Sequence, residues 1–276
     1  MVRVVQVNAN LFIKSLKEIR VSWTSYAVGL VFYIYLLVSI YPSIQERAKD
    51  FQKLFESYPE GVLRFFSGGS GIADITSPEG FLSIEIFSFM WFVIIGAFVI
   101  AYGTGAIGKE IDSGTIEILL SQPITRTSAI ISKGLTLFGG TAALVFITMA
   151  STYLFSLIVD LTIKPEGILA LAAVGALFFL AIAAYSLFFS VLLSERGHAA
   201  FASAGILIAM YLLTSLKQYA TWAEKLDVIS LFHYYNSAQL LTTGDIPLKS
   251  ILIYAGTTIF FVVASILVFS RRDIAP

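Results

Sequence analysis

The chain has 276 residues, of which 57% are hydrophobic and only 13% are charged, and its acidic and basic residues balance to a net charge of zero. Soluble domains are about half apolar and about a quarter charged, so the composition excludes an ordinary soluble domain. It also gives no reason to expect a nucleic-acid partner. Because the chain has no cysteine, a disulfide framework and a thiolate metal site are excluded as well.

Six windows of the chain contain no Asp, Glu, Lys or Arg. A helix needs roughly 20 mostly apolar residues to cross a bilayer core of about 30 Å, and each window meets or approaches that length. Runs such as Leu177–Leu180 lack the strict alternation of membrane β-strands. The windows therefore predict an all-α membrane protein with six transmembrane helices, forming one domain over residues 1–276. They are Val21–Gln45, Ile86–Gly108, Gly134–Val159, Gly167–Ser194, Gly197–Leu216 and Ser250–Ser270.

The first 20 residues predict an amphipathic helix that lies along the membrane surface before the first span. Lys14, Lys17 and Arg20 occupy other faces than the apolar positions. An ordinary cytosolic helix is the alternative. The apolar stretch that follows is too long for the core of a signal peptide, so we expect the first span to be retained. The apolar positions are Val4, Val5, Leu11, Phe12, Leu16 and Ile19.

An even number of spans places both termini on one side of the membrane, together with the polar residues between spans two and three and the turn at Glu195–His198. The basic residues of this side lie close to the ends of the spans, where the positive-inside rule operates. We therefore expect a multi-pass protein of the cell membrane with cytosolic termini. Residues 46–84 and 217–249 then form extracytoplasmic loops.

The loop at residues 217–249 is rich in aromatic residues, which favour the interface between bilayer and water. This predicts a segment that re-enters the membrane before span six. The aromatic residues are Tyr219, Trp222, Phe232, Tyr234 and Tyr235.

Glycines at the end of the second window imitate two phosphate-binding motifs. Gly103–Gly108 matches G-x-G-x-x-G, and Gly103–Lys109 matches the first seven positions of a P-loop. Both motifs need a strand before the glycines and a helix after them, so that backbone amides face the phosphate. Here the glycines end an apolar span, and Glu110 stands where Ser or Thr would bind magnesium. We interpret them as glycines for close helix packing and predict no bound cofactor.

The sequence also argues against an enzyme or an ion-coupled carrier. His198 and His233 are predicted to lie on opposite sides of the membrane, so they cannot share a catalytic or metal site. Ionisable residues inside spans mark proton and ion pathways, and the six windows contain none. Glu85 lies nearest, at the outer edge of the second span. The energy for any transport is therefore expected to come from elsewhere.

The polar segment, residues 109–126, is the most distinctive part of the chain. Asp112 or Ser113 can cap a helix in which the charge of Glu117 suits the helix dipole. Pro123 disfavours helix at the residue before it and stops the element. Thr125, Thr127 or Ser128 can cap the third span. The pattern predicts a helix of about two turns held at the membrane surface.

This predicted helix carries an apolar ridge formed by Ile116, Leu119 and Leu120. Too little chain surrounds the ridge to bury it locally, so we expect it to be exposed and available to a partner. The alternative is an amphipathic loop that packs on its own bundle.

The polar segment resembles the cytosolic loop of type-2 ATP-binding-cassette (ABC) exporter permeases, in which E-x-x-x-G-T-x-E-x-L-L-x-x-P-[VI]-[ST]-R is common. Residues Ser77–Leu82 and Arg271–Asp273 are similar to members of the same family, and the six predicted spans agree with it. The matching positions of the segment are Glu110, Gly114, Thr115, Glu117, Leu119, Leu120, Pro123, Ile124, Thr125 and Arg126, followed by Lys133.

The resemblance implies a permease subunit that moves substrate across the cell membrane with ATP hydrolysed by a separate soluble ABC ATPase subunit. The chain itself would bind no ATP and have no enzymatic activity. The polar segment would be the coupling helix that docks on the ATPase, and two permease copies would pair, often as a homodimer. The implied coupling interface comprises Glu110, Gly114, Thr115, Ile116, Glu117, Leu119, Leu120, Pro123 and Arg126.

The resemblance also implies the interfacial helix at residues 1–20 and the re-entrant segment before span six. It does not name the cargo, although the lack of charge within the spans favours an apolar or amphipathic one. The alternative is a stand-alone secondary carrier or membrane scaffold protein without an ATPase partner.

Overall fold

The computed structural model describes residues 8–47, 77–116, 124–193, 195–217 and 219–272, together with residues 50, 57–59 and 62. Within these ranges six helices are long and apolar enough to cross a membrane, and no strand occurs. Both the all-α class and the number of spans are therefore confirmed. Most of the predicted loop at residues 46–84 and residues 117–123 of the polar segment lie outside the described residues.

The described helices follow one another as a bundle of spans with short helices between the last two. The second span comprises α2, a π-helical turn at Ser83–Phe87 and α3, and two 3-10 turns at Asp227–Ile229 and Leu231–Tyr234 lie between α7 and α8. The helices are α1 (Ala9–Glu46), α2 (Pro78–Leu82), α3 (Met90–Asp112), α4 (Arg126–Ile158), α5 (Pro165–Leu192), α6 (Arg196–Leu216), α7 (Thr221–Leu226), α8 (Ser237–Thr243) and α9 (Leu248–Arg271).

Helix α1 is one uninterrupted helix of 38 residues, longer than a bilayer requires. The side chain of Asn8 caps it by accepting a hydrogen bond from the amide of Leu11 at 3.0 Å. The separate interfacial helix predicted for residues 1–20 is therefore wrong for the described residues, because residues 9–20 are the first turns of the spanning helix. Leu11, Ser15 and Ile19 are buried at helical spacing, and α1 packs against α4.

The second span begins earlier than the charge-free window suggested. Ser77 caps α2 by accepting a hydrogen bond from the amide of Gly80 at 3.1 Å, and Pro78 occupies the first helical turn. The loop predicted to reach residue 84 therefore ends before Pro78. The window began late because Glu85 interrupts an otherwise apolar stretch, in which Phe81 and Leu82 are already buried.

Helix α5 occupies the middle of the bundle and contacts α3, α4, α6, α8 and α9. Phe178 of α5 is fully buried in an aromatic cluster, with ring centroids 4.9 Å from Phe92, 4.9 Å from Phe232 and 5.6 Å from Tyr254. Such aromatic pairs stabilise a fold by more than the apolar area that they bury. The cluster attaches the 3-10 turns before α8 to three spans.

The segment between α6 and α9 is fixed to the second span as well. The hydroxyl of Ser237 lies 2.6 Å from that of Ser83, and the Tyr235 hydroxyl donates to the Phe87 carbonyl at 3.2 Å. The predicted loop at residues 217–249 thus contains short packed helices, and α9 begins at Leu248. Its re-entry into the membrane stays a prediction.

The bundle has two ends, which we name by a residue at each. The Glu110 end is where α3 stops and α4 begins, and the Asp227 end carries the short helices between α6 and α9. His198 lies in the first turn of α6, whereas His233 lies beyond the far end of that helix. The two histidines therefore lie at opposite ends of the bundle, as predicted.

Candidate functional site

The polar segment begins as the last turn of α3, not as a loop. Helix α3 continues to Asp112, and the hydroxyl of Ser113 donates to the Lys109 carbonyl at 2.7 Å. Gly114 then adopts a φ of +67°, a left-handed conformation that suits glycine after a helix. The predicted helix start at Asp112 or Ser113 is therefore wrong, because both residues belong to the end of α3.

Glu110 connects three parts of the Glu110 end. One carboxylate oxygen lies 2.8 Å from Nζ of Lys133 on α4, and the side chains of Lys133 and Glu110 are only 8% and 14% exposed. The other carboxylate oxygen accepts a hydrogen bond from the hydroxyl of Thr115. Hydrogen bonds between charged groups are stronger than neutral ones. Glu110 thus holds the start of the polar segment against α4.

Asp112 connects the same turn to α6. Its carboxylate accepts a hydrogen bond from the backbone amide of Arg196, with oxygen–nitrogen distances of 3.1 and 3.3 Å. Because Arg196 is the first residue of α6, this carboxylate lies at a helix N-terminus, where negative charge is favourable. The Arg196 guanidinium donates to the Ala101 carbonyl at 3.1 Å and so reaches back along α3.

The glycines that imitate a phosphate loop are explained by close packing. A Cβ atom on Gly103 would lie 2.6 Å from Cβ of Ser186 on α5. A Cβ on Gly105 would lie 3.3 Å from the Arg196 side chain, and one on Gly108 would lie 3.3 Å from Cα of Arg196. This geometry supports the interpretation that these glycines serve helix packing.

A buried serine joins α5 to α3 at the same level. The hydroxyl of Ser190 donates to the Thr104 carbonyl at 2.8 Å and accepts from the amides of Ile107 and Gly108, both at 2.9 Å. In a regular helix these carbonyl and amide groups form hydrogen bonds with one another along the backbone. A side chain that inserts among such hydrogen bonds is a known cause of helix bending. Ser190 therefore gives α3 a specific attachment just before the polar segment.

Arg126 fastens the other end of the polar segment. Thr125 caps α4 by accepting a hydrogen bond from the amide of Ser128 at 3.1 Å, which confirms one of the predicted caps. The Arg126 guanidinium donates to the carbonyls of Phe269 and Arg272 in the last turn of α9. Arg272 in turn donates to the Val191 carbonyl at the end of α5. Cations are favoured at helix C-termini, whose last carbonyls lack partners.

Of the three residues of the predicted apolar ridge, Ile116 lies among the described residues. Ile116 is 4% exposed and belongs to the hydrophobic core, so its predicted exposure is wrong. It follows the Gly114 turn, which directs the chain back onto the bundle. Glu117, Leu119, Leu120 and Pro123 lie outside the described residues.

A scan against family models matches residues 9–274 to the ABC-2 family transporter proteins. The chain belongs to this family. Because the match covers nearly the whole chain, it identifies a multi-pass membrane transport permease, in agreement with the six spans. No curated protein matches the chain.

Several residues of this site were not found from the sequence. Asp112 was expected only as a helix cap, and Arg196, Ser190 and Arg272 were given no partner. The pairs Asp112–Arg196 and Thr104–Ser190 are 84 and 86 residues apart along the chain, so local patterns could not reveal them. The available signal was the charge of Arg196 and Arg272 next to predicted helix ends.

Proposed function

We propose that this ABC-2 family permease is the membrane-spanning subunit of an ATP-driven exporter. A separate soluble ATPase subunit binds and hydrolyses the ATP, and it docks on the polar segment at residues 109–126. The observation that carries the proposal is that both ends of this segment are joined to the bundle by ionic groups, Glu110 and Asp112 at its start and Arg126 at its end.

These attachments suit the transmission of force. A docked ATPase that moves the polar segment pulls on α3 and α4 through Glu110 and Lys133, on α6 through Asp112, and on α9 through Arg126. All of these contacts involve a charged side chain, and the Glu110–Lys133 pair is also largely shielded from water, so this pair resists deformation more than an exposed ion pair does. Displacement of the segment is therefore shared by several spans instead of being lost in a flexible loop.

Each residue of the proposed interface has a role in this account. Leu119 and Leu120 supply apolar contact with the ATPase, and Glu117 supplies a charge that fixes orientation. Ile116 anchors the segment in the core, while Gly114 and Thr115 set the direction in which the chain leaves α3. We expect Pro123 to end the element, as the sequence predicts, and Arg126 attaches the segment to α9.

The Glu110 end faces the cytosol in this proposal, so both termini are cytosolic and ATP is within reach of the docked subunit. A second copy of the chain completes the transporter as a homodimer, since one bundle of six spans provides one half of a two-sided pathway. In this proposal the ATPase subunit, and no residue of this chain, binds the nucleotide.

Affinity purification of the tagged chain from its native membrane tests the proposal. We expect a soluble ATPase with a complete P-loop to copurify with it, and an adjacent reading frame to encode that ATPase. If the intact permease is recovered without any ATPase under mild detergent and also transports without ATP, it is a stand-alone carrier instead.

A further inference from the structure

A polar cleft opens at the Glu110 end between α1, α3, α4 and α6, with a cavity volume of about 340 Å³. Its deeper walls include Tyr26 and Tyr102, which lie within the charge-free windows of spans one and two. Its mouth is lined by Lys109, Lys133 and Arg196. The cleft therefore joins a positively charged rim to a wall inside the spans.

Two of the charges at the rim have no carboxylate partner among the described residues. Lys133 is neutralised by Glu110 at 2.8 Å, and Glu18, the only acidic residue of the lining, lies 3.8 Å from Lys14. Lys109 and Arg196 form no such ion pair in the described part of the chain. Asp112 contacts the backbone amide of Arg196, not its guanidinium. The cleft thus keeps a positive field.

A buried hydroxyl gives an independent indication of a ligand. Ser15 lines the same cleft and is 6% exposed, yet its oxygen has no hydrogen-bond partner among the described residues. A buried polar group without a partner is costly, and in native proteins it calls for an explanation. A ligand atom that reaches Ser15 from within the cleft would supply the missing partner.

We propose that this cleft binds the anionic headgroup, a phosphate or a carboxylate, of an amphipathic molecule. Lys109 and Arg196 pair with the headgroup, Ser15 donates a hydrogen bond to it, and the apolar part of the molecule lies toward Tyr26 and Tyr102 and the bilayer. That this molecule is the exported cargo rests on the proposed function, whereas its binding does not.

A neighbouring groove provides the matched control. It lies between α1 and α4, has a volume of about 430 Å³, and is lined by Lys17, Arg20 and Trp23 together with small residues of α4 such as Gly139. Lys17 and Arg20 both lie on α1, which also forms one wall of the cleft, and they are near the Glu110 end. Neither residue lines the cleft. Neutralising Lys17 and Arg20 removes two positive charges from the Glu110 end, as many as neutralising Lys109 and Arg196 does, without changing the lining of the cleft.

The test is a binding measurement on the purified chain in nanodiscs of zwitterionic lipid, without ATPase or ATP. The probes are lysophosphatidylglycerol, lysophosphatidylcholine with the same acyl chain, and inorganic phosphate. We expect lysophosphatidylglycerol to bind the most tightly. Lys109→Gln alone is expected to weaken its binding about fivefold, and Lys109→Gln with Arg196→Gln about 30-fold. The control pair Lys17→Gln and Arg20→Gln leaves the affinity unchanged.

Three results overturn the proposal. If the Lys109→Gln, Arg196→Gln variant and the control variant lose affinity for lysophosphatidylglycerol equally, only general surface charge attracts the lipid. Equal binding of the two lysolipids excludes selection for an anion, and equal binding of inorganic phosphate excludes an amphipathic ligand. Lys109→Gln keeps the test valid if the double variant misfolds, because Lys109 is exposed. Since no ATPase is present, failure here is distinguishable from failure of the proposed function.

Discussion

Nζ of Lys133 and a carboxylate oxygen of Glu110 lie 2.8 Å apart across two spans, in a place where both side chains are largely buried. This pair joins the last turn of α3, where the polar segment begins, to the second turn of α4, beyond the end of the segment. A movement of the segment therefore cannot separate the two spans without breaking a buried ion pair.

Loss of one member of the pair should destabilise the permease. Lys133→Met keeps most of the apolar stem but leaves the Glu110 carboxylate buried without its cation. We expect a loss of about 3 kcal/mol and a thermal unfolding midpoint lower by roughly 10 °C in detergent. Lys225→Met, at an exposed site of the Asp227 end, serves as the control and should be neutral. Adding Glu110→Gln to Lys133→Met should recover part of the loss; an unchanged midpoint in the single variant would show that the pair is not important for stability.

The packing interpretation of the glycines predicts a contrast between two alanine substitutions. Gly103→Ala should lower the unfolding midpoint, because the new Cβ would lie 2.6 Å from Cβ of Ser186 and α3 would have to move away from α5. Gly139→Ala should be neutral or stabilising by up to about 1 kcal/mol, because no atom of the described residues lies within 4 Å of its Cβ position and alanine favours helix. Equal effects of the two substitutions on the midpoint would contradict the packing account.

The proposed topology can be tested with single cysteines, because the natural chain has none. Ser113→Cys introduces an exposed thiol at the Glu110 end, and Lys225→Cys introduces one beyond the other end of the spans. Ser70→Cys tests the extracytoplasmic loop that the sequence predicts at residues 46–84. We expect a membrane-impermeant maleimide to label the last two in intact cells and Ser113→Cys only after lysis. The opposite pattern would invert the topology.

Asp227 should make the stability of the Asp227 end depend on acid. Burial of Asp227 alone would raise its pKa, but hydrogen bonds from Thr214 and His233 and the charge of Lys217 outweigh burial and hold that pKa below its ordinary value. A depressed pKa contributes stability above the ordinary value of about 4, and this contribution is lost as the pH falls through the folded-state pKa.

Asp227→Asn should therefore lower stability at pH 7 by about 2 kcal/mol and flatten the decline of the unfolding midpoint between about pH 5 and pH 2. Asp245→Asn changes an exposed carboxylate at the same end and should leave the midpoint and its pH dependence unaltered. An acid decline of equal slope in wild type and Asp227→Asn would assign the sensitivity to other groups.

The sequence predicted the features that depend on local composition. Charge-free windows sufficed for six spans, and Thr125 was recognised as a cap because a capping side chain acts on the next turn. The limits of the spans were less accurate, since a window defined by missing charges stops at Glu85 or Lys133 although the helix does not. Both residues lie in helical structure, and Lys133 has a partner in another span.

The remaining features depend on contacts between distant parts of the chain. Residues 9–20 continue into the first span because they pack on α4, which a window of hydropathy cannot reveal. Ile116 is buried because the left-handed turn at Gly114 precedes it, whereas the pattern alone suggested an exposed ridge. The sequence supported a packing role for the glycines only by excluding a phosphate-binding site. The close helix contacts that require these glycines are visible only in the three-dimensional structure.

The most direct test of the proposed coupling is to measure copurified ATPase for variants of the polar segment. Glu117→Lys and Leu120→Asp should abolish association with the ATPase and its hydrolysis of ATP, while the permease remains monodisperse in detergent. Glu195→Lys makes the same charge change at the Glu110 end but outside the segment, and should retain the ATPase. If the ATPase stays bound and fully active with Glu117→Lys and Leu120→Asp, the polar segment is not its docking site.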